Sequence, residues 1–116
     1  MIATVSLNPA IDKTITMPSI TIGDVNRVNG VVNIAGGKGV NVAKVLRQYD
    51  YEVKTLGFAG GYTGEMIANT VRHLGAEDAF TFIKGETRTS MNLVTEDGNV
   101  TELLEPGPRI IPSELK

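Results

Sequence analysis

The chain contains no cysteine, no tryptophan and a single histidine, His73. Without thiols there is no disulfide framework and no thiolate zinc site, and one imidazole cannot build a histidine-rich metal cluster or a Cys/His pair. Long apolar runs are missing too. No stretch approaches the roughly 18 residues of a spanning helix, and the opening MIATVSLNPAID lacks the basic-then-apolar form of a signal peptide. A cytosolic location is therefore the default expectation. Nor is there an excess of one charge: 11 basic and 13 acidic residues are intermixed, for a net charge of −2, which sets aside nucleic acid and membrane as partners. What the chain does have is 116 residues, 41% of them hydrophobic. That is enough to bury the core of one globular domain, or of a large piece of one.

The apolar pattern predicts an α/β organisation. IATVSL (2–7) alternates, with Ala3, Val5 and Leu7 on one side, and meets Asn8-Pro9, which reads as a core strand ending in a turn. KTITM (13–17) and GVVNIA (30–35) are short and β-branched. From Lys38, Val42, Val45, Leu46 and Tyr49 recur at helical spacing, predicting an amphipathic helix. VKTLGF (53–58) reads as a second core strand. A second helix follows, with Ile67, Thr70, Val71 and Leu74 on one face and Gly75 closing its C-terminus, and AFTFI (79–83) reads as a third strand. Strand, helix and strand within about 30 residues make a parallel βαβ unit with a right-handed crossover. TSMNLVT and VTELLE then flank EDGN, where Asp97-Gly98 signals a two-residue hairpin turn. That hairpin, with the strands at 13–17 and 30–35, predicts a small accessory sheet able to cover a site. At the end, Ser113 in RIIPSELK is placed to cap a helix, so the chain reads as stopping within a helical turn and is expected to be truncated.

Three segments could carry chemistry. AGGKGVNVAKVL (35–46) puts glycines around Lys38 just before a helix. A Walker A loop needs Ser or Thr after its Gly-Lys, whereas Gly39 follows Lys38 here. A dinucleotide fingerprint follows the first core strand directly, and this loop begins about thirty residues later. Glycines at a helix start still allow close backbone approach and offer unpaired N–H groups to an anion or to hydroxyls, with Asn41 adding a donor and an acceptor; a tight turn with close helix packing is the plain alternative. In NPAID, Asp12 stands past the first core strand, where it could accept hydrogen bonds from sugar hydroxyls or be a turn aspartate. In GETRTS, the fork of Arg88 suits a phosphate, unless Arg88 pairs with Glu86 or Glu102. Arg27 in GDVNR is a similar case with a stronger surface alternative. His73 reads as solvent-exposed, and Glu102 and Glu105 as a solvated hairpin face.

Taken in order, SLNPAID, GDVNRV, AGGKGVNVAKVL, GFAGGYTGE, KGETRTS and TELLEPGP resemble the ribokinase-like carbohydrate kinase family of the phosphofructokinase-B type, in its branch of bacterial 1-phosphofructokinases and tagatose-6-phosphate kinases. The resemblance runs along essentially the whole chain. It implies the N-terminal portion of a three-layer α/β/α fold with a β-sheet lid, the core taking about 1–12, 36–84 and 106–116 and the lid about 13–35 and 87–105. It implies ATP-dependent phosphorylation of a sugar hydroxyl, with Asp12, Gly36, Gly37, Lys38 and Asn41 on the sugar and Arg88 on the phosphate already present. Arg27 matches a basic lid position that reaches a neighbouring subunit's site, and the lid implies a homodimer.

The glycine-rich segment with the general-base aspartate, and the ATP and Mg2+ groups, belong to a second half not found in this sequence. The isolated chain is therefore expected to have no kinase turnover and to bind neither cofactor well. Fructose 1-phosphate is the favoured substrate, tagatose 6-phosphate the alternative, and a non-catalytic sugar-phosphate sensor or dimerisation module the rival of another class.

Overall fold

The computed structural model describes residues 1–115. Seven strands and two helices alternate along the chain: β1 (Ile2–Ser6), β2 (Ala10–Met17), β3 (Gly30–Gly36), α1 (Lys38–Gln48), β4 (Val53–Gly60), α2 (Gly61–His73), β5 (Glu77–Ile83), β6 (Arg88–Thr95) and β7 (Val100–Leu104), with a short 3-10 turn at Pro112–Leu115. They form two sheets, a parallel one in the order β1-β4-β5 and a mixed one in the order β3-β2-β6-β7. The α/β class, the βαβ unit and the accessory sheet expected from the sequence are all present.

In the parallel sheet, α1 and α2 lie on one face. Val40 and Ala43 of α1 meet Ile67 and Val71 of α2 over Val53 of β4, and Ile11 and Ala35 of the second sheet complete the same core. The layer beneath the helices also buries hydroxyls: Thr4 donates to Thr55 at 3.2 Å between β1 and β4, which satisfies polar groups that would otherwise cost free energy out of water.

The stripe read for α2 is packed through Ile67 and Val71, whereas those read for β1 and α1 fall largely elsewhere, Leu46 alone of the α1 set packing on the core. On β1 the buried residues are Thr4 and Ser6, while Val5 is 56% exposed and Leu7 also faces outward. On α1 the packed face is Gly39, Val40 and Ala43, whereas Val42, Val45 and Tyr49 are exposed. The reason is that only one face of the parallel sheet carries a helical layer among the described residues. Alternation on a strand marks two faces without saying which is covered, and small residues let α1 sit close to the sheet. On α2, Gly64, Ile67, Ala68 and Val71 are buried, and Gly75 follows at φ +85°, the left-handed stop expected there.

Three local expectations are also corrected. β2 starts at Ala10, so Asp12 lies inside a strand paired with Ile34 and Ser90, not in a turn. The hairpin at Asp97-Gly98 has a three-residue loop: Thr95 N–H donates to the Asn99 carbonyl at 3.1 Å and Gly98 N–H to the Thr95 carbonyl at 3.0 Å, with Gly98 at φ +86°. This is a type I turn followed by a left-handed glycine, the second common hairpin solution. Ser113 lies within the 3-10 turn rather than capping a helix; Glu114 instead accepts from the amides of Ile111 at 2.9 Å and Lys84 at 2.8 Å, because its longer side chain reaches two amides at once.

Candidate functional site

The two sheets meet where the chain crosses between them. Ala10 of β2 pairs with Gly36 on one side and Arg88 on the other, so the last residue of β3 and the first of β6 share one rung. The helix α1 starts two residues past Gly36. Beside that rung lies a cavity of about 380 Å³ lined by Val5, Ser6, Leu7, Asn8, Gly37, Lys38 and Arg88. It stands at the carboxyl end of β1, where open α/β sheets accept ligands.

Each glycine of the loop answers a different neighbour. A side chain at Gly36 would overlap the Asp12 carboxylate, one at Gly37 would press to 3.1 Å on Pro9 Cα, and one at Gly39 would overlap Ser6 and the Val5 carbonyl. Gly37 is at φ +108°, a conformation that favours glycine. Close packing, the plain alternative, is thus real, and it coexists with an open anion-type site. The first turn of α1 leaves its leading amides without intrahelical partners. Ser6 Oγ accepts from Val40 N–H at 3.0 Å, while the amides of Lys38 and Gly39 precede the first intrahelical bond, from Asn41 N–H to the Gly37 carbonyl. No acidic residue occupies this turn, so its partial positive charge is not offset from within the helix.

Arg88 has none of the carboxylate partners considered for it. No ion pair among the described residues includes it. Glu86 is engaged by Thr63 N–H at 2.8 Å, and Glu102 stands opposite Asn92 on β7. Arg88 donates to the Asn8 carbonyl at 3.3 Å, and its Nε is buried with no hydrogen-bond partner. A buried guanidinium donor without an acceptor is costly.

Of the residues named from the sequence, Gly37, Lys38 and Arg88 line one cavity. Gly36 and Asp12 are in contact with each other on the same rung system. Asn41 is exposed in the first turn of α1 and does not line the cavity. Arg27 is exposed in the loop between β2 and β3, at the far end of the second sheet. The seven steps of β2 from Ala10 to Met17 span roughly 23 Å at about 3.3 Å each, so Arg27 is not brought to this chain's own cavity. His73 is exposed, its Nδ1 within 2.7 Å of the Asn69 carbonyl.

Sequence reasoning passed over Ser6 and Asn8, and noted Thr87 only as one of the hydroxyls, with Thr89 and Ser90, around Arg88. The first two were visible as polar residues at the carboxyl end of the first core strand, but the role of Thr87 depends on a contact 27 residues away. No group of three or more His, Cys, Asp or Glu side chains converges among the described residues.

A parallel α/β unit thus adjoins a four-stranded mixed sheet, with a cavity lined by Lys38 and Arg88 beside their junction. Residues 5–109 match the pfkB family carbohydrate kinase, and the chain belongs to that family. It is 40% identical, over all 116 residues, to the 1-phosphofructokinase of Bacillus subtilis (strain 168), of which it covers 38%. It is similar to the solved structure of a Staphylococcus aureus protein assigned as a phosphofructokinase, with TM-score 0.92 and 38% identity over 98% of this chain and 37% of that one. The phosphofructokinase-2 of Escherichia coli in complex with fructose-6-phosphate gives TM-score 0.86 and 26% identity over 97% of this chain and 38% of that one. The chain therefore spans a little over a third of the length of these relatives and has the N-terminal part of their ribokinase-like fold.

Proposed function

We propose that the chain is the sugar-phosphate-binding and lid portion of an ATP-dependent hexose-phosphate kinase, a 1-phosphofructokinase that converts fructose 1-phosphate to fructose 1,6-bisphosphate. The observation that carries this reading is Arg88, which has no ion-pair partner among the described residues, lining one cavity with Lys38 and the start of α1. A phosphate supplies the acceptors that such a fork of donors needs. The 1-phosphofructokinase of B. subtilis supports the choice of substrate.

In this reading Arg88 anchors the phosphate already on the sugar, with Lys38 adding charge. Asp12, held against Gly36, accepts from sugar hydroxyls, and Gly36, Gly37 and Asn41 complete the sugar contacts. Fixing the sugar in this way orients the hydroxyl that attacks the γ-phosphorus of ATP; a P–O bond forms, ADP leaves, and the hydroxyl proton passes to a general base. That base, and the groups for ATP and Mg2+, are an aspartate and loops supplied from outside these 116 residues, so the isolated chain has no turnover.

The lid sheet carries the partner surface. Val32, Ile34, Val100 and Leu104 are exposed on the face that also carries Asp12, since directly paired residues share a face. A second copy of the chain covers them in a homodimer, and Arg27 then serves the neighbour's cavity. A tetrameric form of E. coli phosphofructokinase-2 has been solved, which supports assembly in the family.

Calorimetric titration tests the reading. Fructose 1-phosphate binds saturably and more tightly than tagatose 6-phosphate, and Arg88→Ala weakens it by at least about tenfold, as expected for a charge-assisted contact. Absence of saturable binding, or binding indifferent to Arg88, overturns it; tighter binding of tagatose 6-phosphate reassigns the substrate.

A further inference from the structure

We propose that Thr87 is a positioning residue that holds Arg88 ready for a ligand phosphate, an inference that rests on the reading of Arg88 as the phosphate anchor. Thr87 is 2% exposed and makes a reciprocal pair of bonds with Gly60, the residue that leads into α2. Gly60 N–H donates to Thr87 Oγ1 at 2.9 Å, and Thr87 N–H donates to the Gly60 carbonyl at 2.9 Å. Bonds in both directions fix the position and the rotation of the backbone at 87. Gly60 is without a side chain because one would overlap the Gly85 and Ile83 carbonyls, and a Cβ at Gly64 would stand 3.0 Å from Thr87 Oγ1. The threonine is thus locked beneath the first turn of α2.

Its neighbours are tied as well. Glu86 accepts from Thr63 N–H at 2.8 Å, and Thr89 N–H donates to Glu105 at 2.8 Å. Glu86 and Glu105 are thereby each tied to a backbone amide. The segment 86–89 is pinned at 86, 87 and 89, and the one side chain whose charged group keeps an unpartnered buried donor is Arg88. A side chain fixed before binding loses less conformational freedom when the ligand arrives. Of the three ties, that of Thr87 is the buried one and the only double one.

The test uses the full chain with 15N-labelled arginine and two readouts. Solvent exchange of the Arg88 Nε–H is followed without ligand, and affinities for fructose 1-phosphate, fructose and inorganic phosphate are measured calorimetrically. Thr87→Val, which keeps the shape and removes the hydroxyl, is expected to speed exchange about tenfold or more. It is also expected to weaken fructose 1-phosphate about threefold to tenfold, the effect of freeing one side chain, and to narrow the preference for the phosphate over fructose. Thr87→Ser behaves as the wild type. In an Arg88→Ala background, Thr87→Val has no further effect on affinity, which a merely structural role would not produce.

A folded Thr87→Val with unchanged Arg88 exchange, or with equal affinity losses in the presence and absence of Arg88, overturns the proposal. Should Thr87→Val fail to fold, Thr87→Ser decides: faster exchange or weaker binding in that variant overturns the assignment to the hydroxyl. If Arg88→Ala itself leaves affinity unchanged, or the wild type does not bind, the phosphate-anchor reading falls and this proposal with it. If Arg88→Ala weakens binding while Thr87→Val does not, only the positioning role falls.

Discussion

Two helices in this chain begin at a pair of glycines, Gly36-Gly37 just before α1 and Gly60-Gly61 at the first residue of α2, and they are finished differently. At the start of α1, Ser6 caps Val40 N–H, no carboxylate is present in the first turn, and the flanking cations Lys38 and Arg88 face a cavity. At the start of α2, Glu86 accepts from Thr63 N–H and Thr87 accepts from Gly60 N–H. The second helix start is met by a carboxylate of the chain itself, and the first has none in its first turn. A glycine-rich helix start is therefore not a ligand site in itself; what distinguishes the two is whether the protein supplies the negative charge.

The largest expected effect tests what the two starts share. Gly39→Ala and Gly60→Ala each drive a methyl group into backbone carbonyls and are expected to cost about 3 kcal/mol of stability, the upper range for overpacking, read as a lower urea midpoint at unchanged slope. A near-neutral result at either would show that the close approach there is not enforced. Next comes the cavity. Arg88→Lys keeps the charge and loses the planar fork, so fructose 1-phosphate binding is expected to fall by about tenfold, less than for Arg88→Ala, again by calorimetry.

Glu86→Gln then sharpens the contrast. Removing the carboxylate at the start of α2 is expected to cost about 0.5–1 kcal/mol and to make the Thr63 amide resonance respond to added phosphate, a response absent in the wild type. If Thr63 stays silent in Glu86→Gln, the charge of Glu86 is not what closes that helix start. The smallest effect lies far from both helices. At the hairpin loop, the Thr95 hydroxyl, followed by the Asn99 amide, holds the Asp97 carboxyl below its ordinary value of 3.8. A depressed folded-state pKa stabilises above the unfolded value and is lost as pH falls through the folded one. The Asp97 carbon resonance should therefore titrate below 3.8, and Thr95→Val should move it upward.

Much of this was legible in the sequence for a physical reason. Strand and helix periodicities depend on local spacing, so the βαβ unit, the lid strands and the glycine at the end of α2 could be read directly. Which face is covered depends on layers that no local pattern encodes, and so Val42, Val45 and Tyr49 were read as a packed stripe although they are exposed. The turn at Asp97-Gly98 was placed correctly but given one residue too few, because the same dipeptide fits two loop lengths. At the site, Arg88 was visible by type, while its lack of a carboxylate partner depends on where Glu86 and Glu102 point. Thr87 carried no signal beyond a hydroxyl next to an arginine.

The chain passes between the two sheets three times, at Asn8-Pro9, Gly36-Gly37 and Glu86-Thr87, and the rung from Gly36 through Ala10 to Arg88 marks the line these crossings share. In a rotation of the outer sheet that line would be the pivot. For a rotation of about 10° of the outer sheet, a point roughly 23 Å out along β2 sweeps about 4 Å, as in hinge motions generally. Residues on the pivot stay nearly still. Asp12, Gly36 and Arg88 sit at or next to it, whereas Arg27 and the hairpin loop sit at the end of the lever arm.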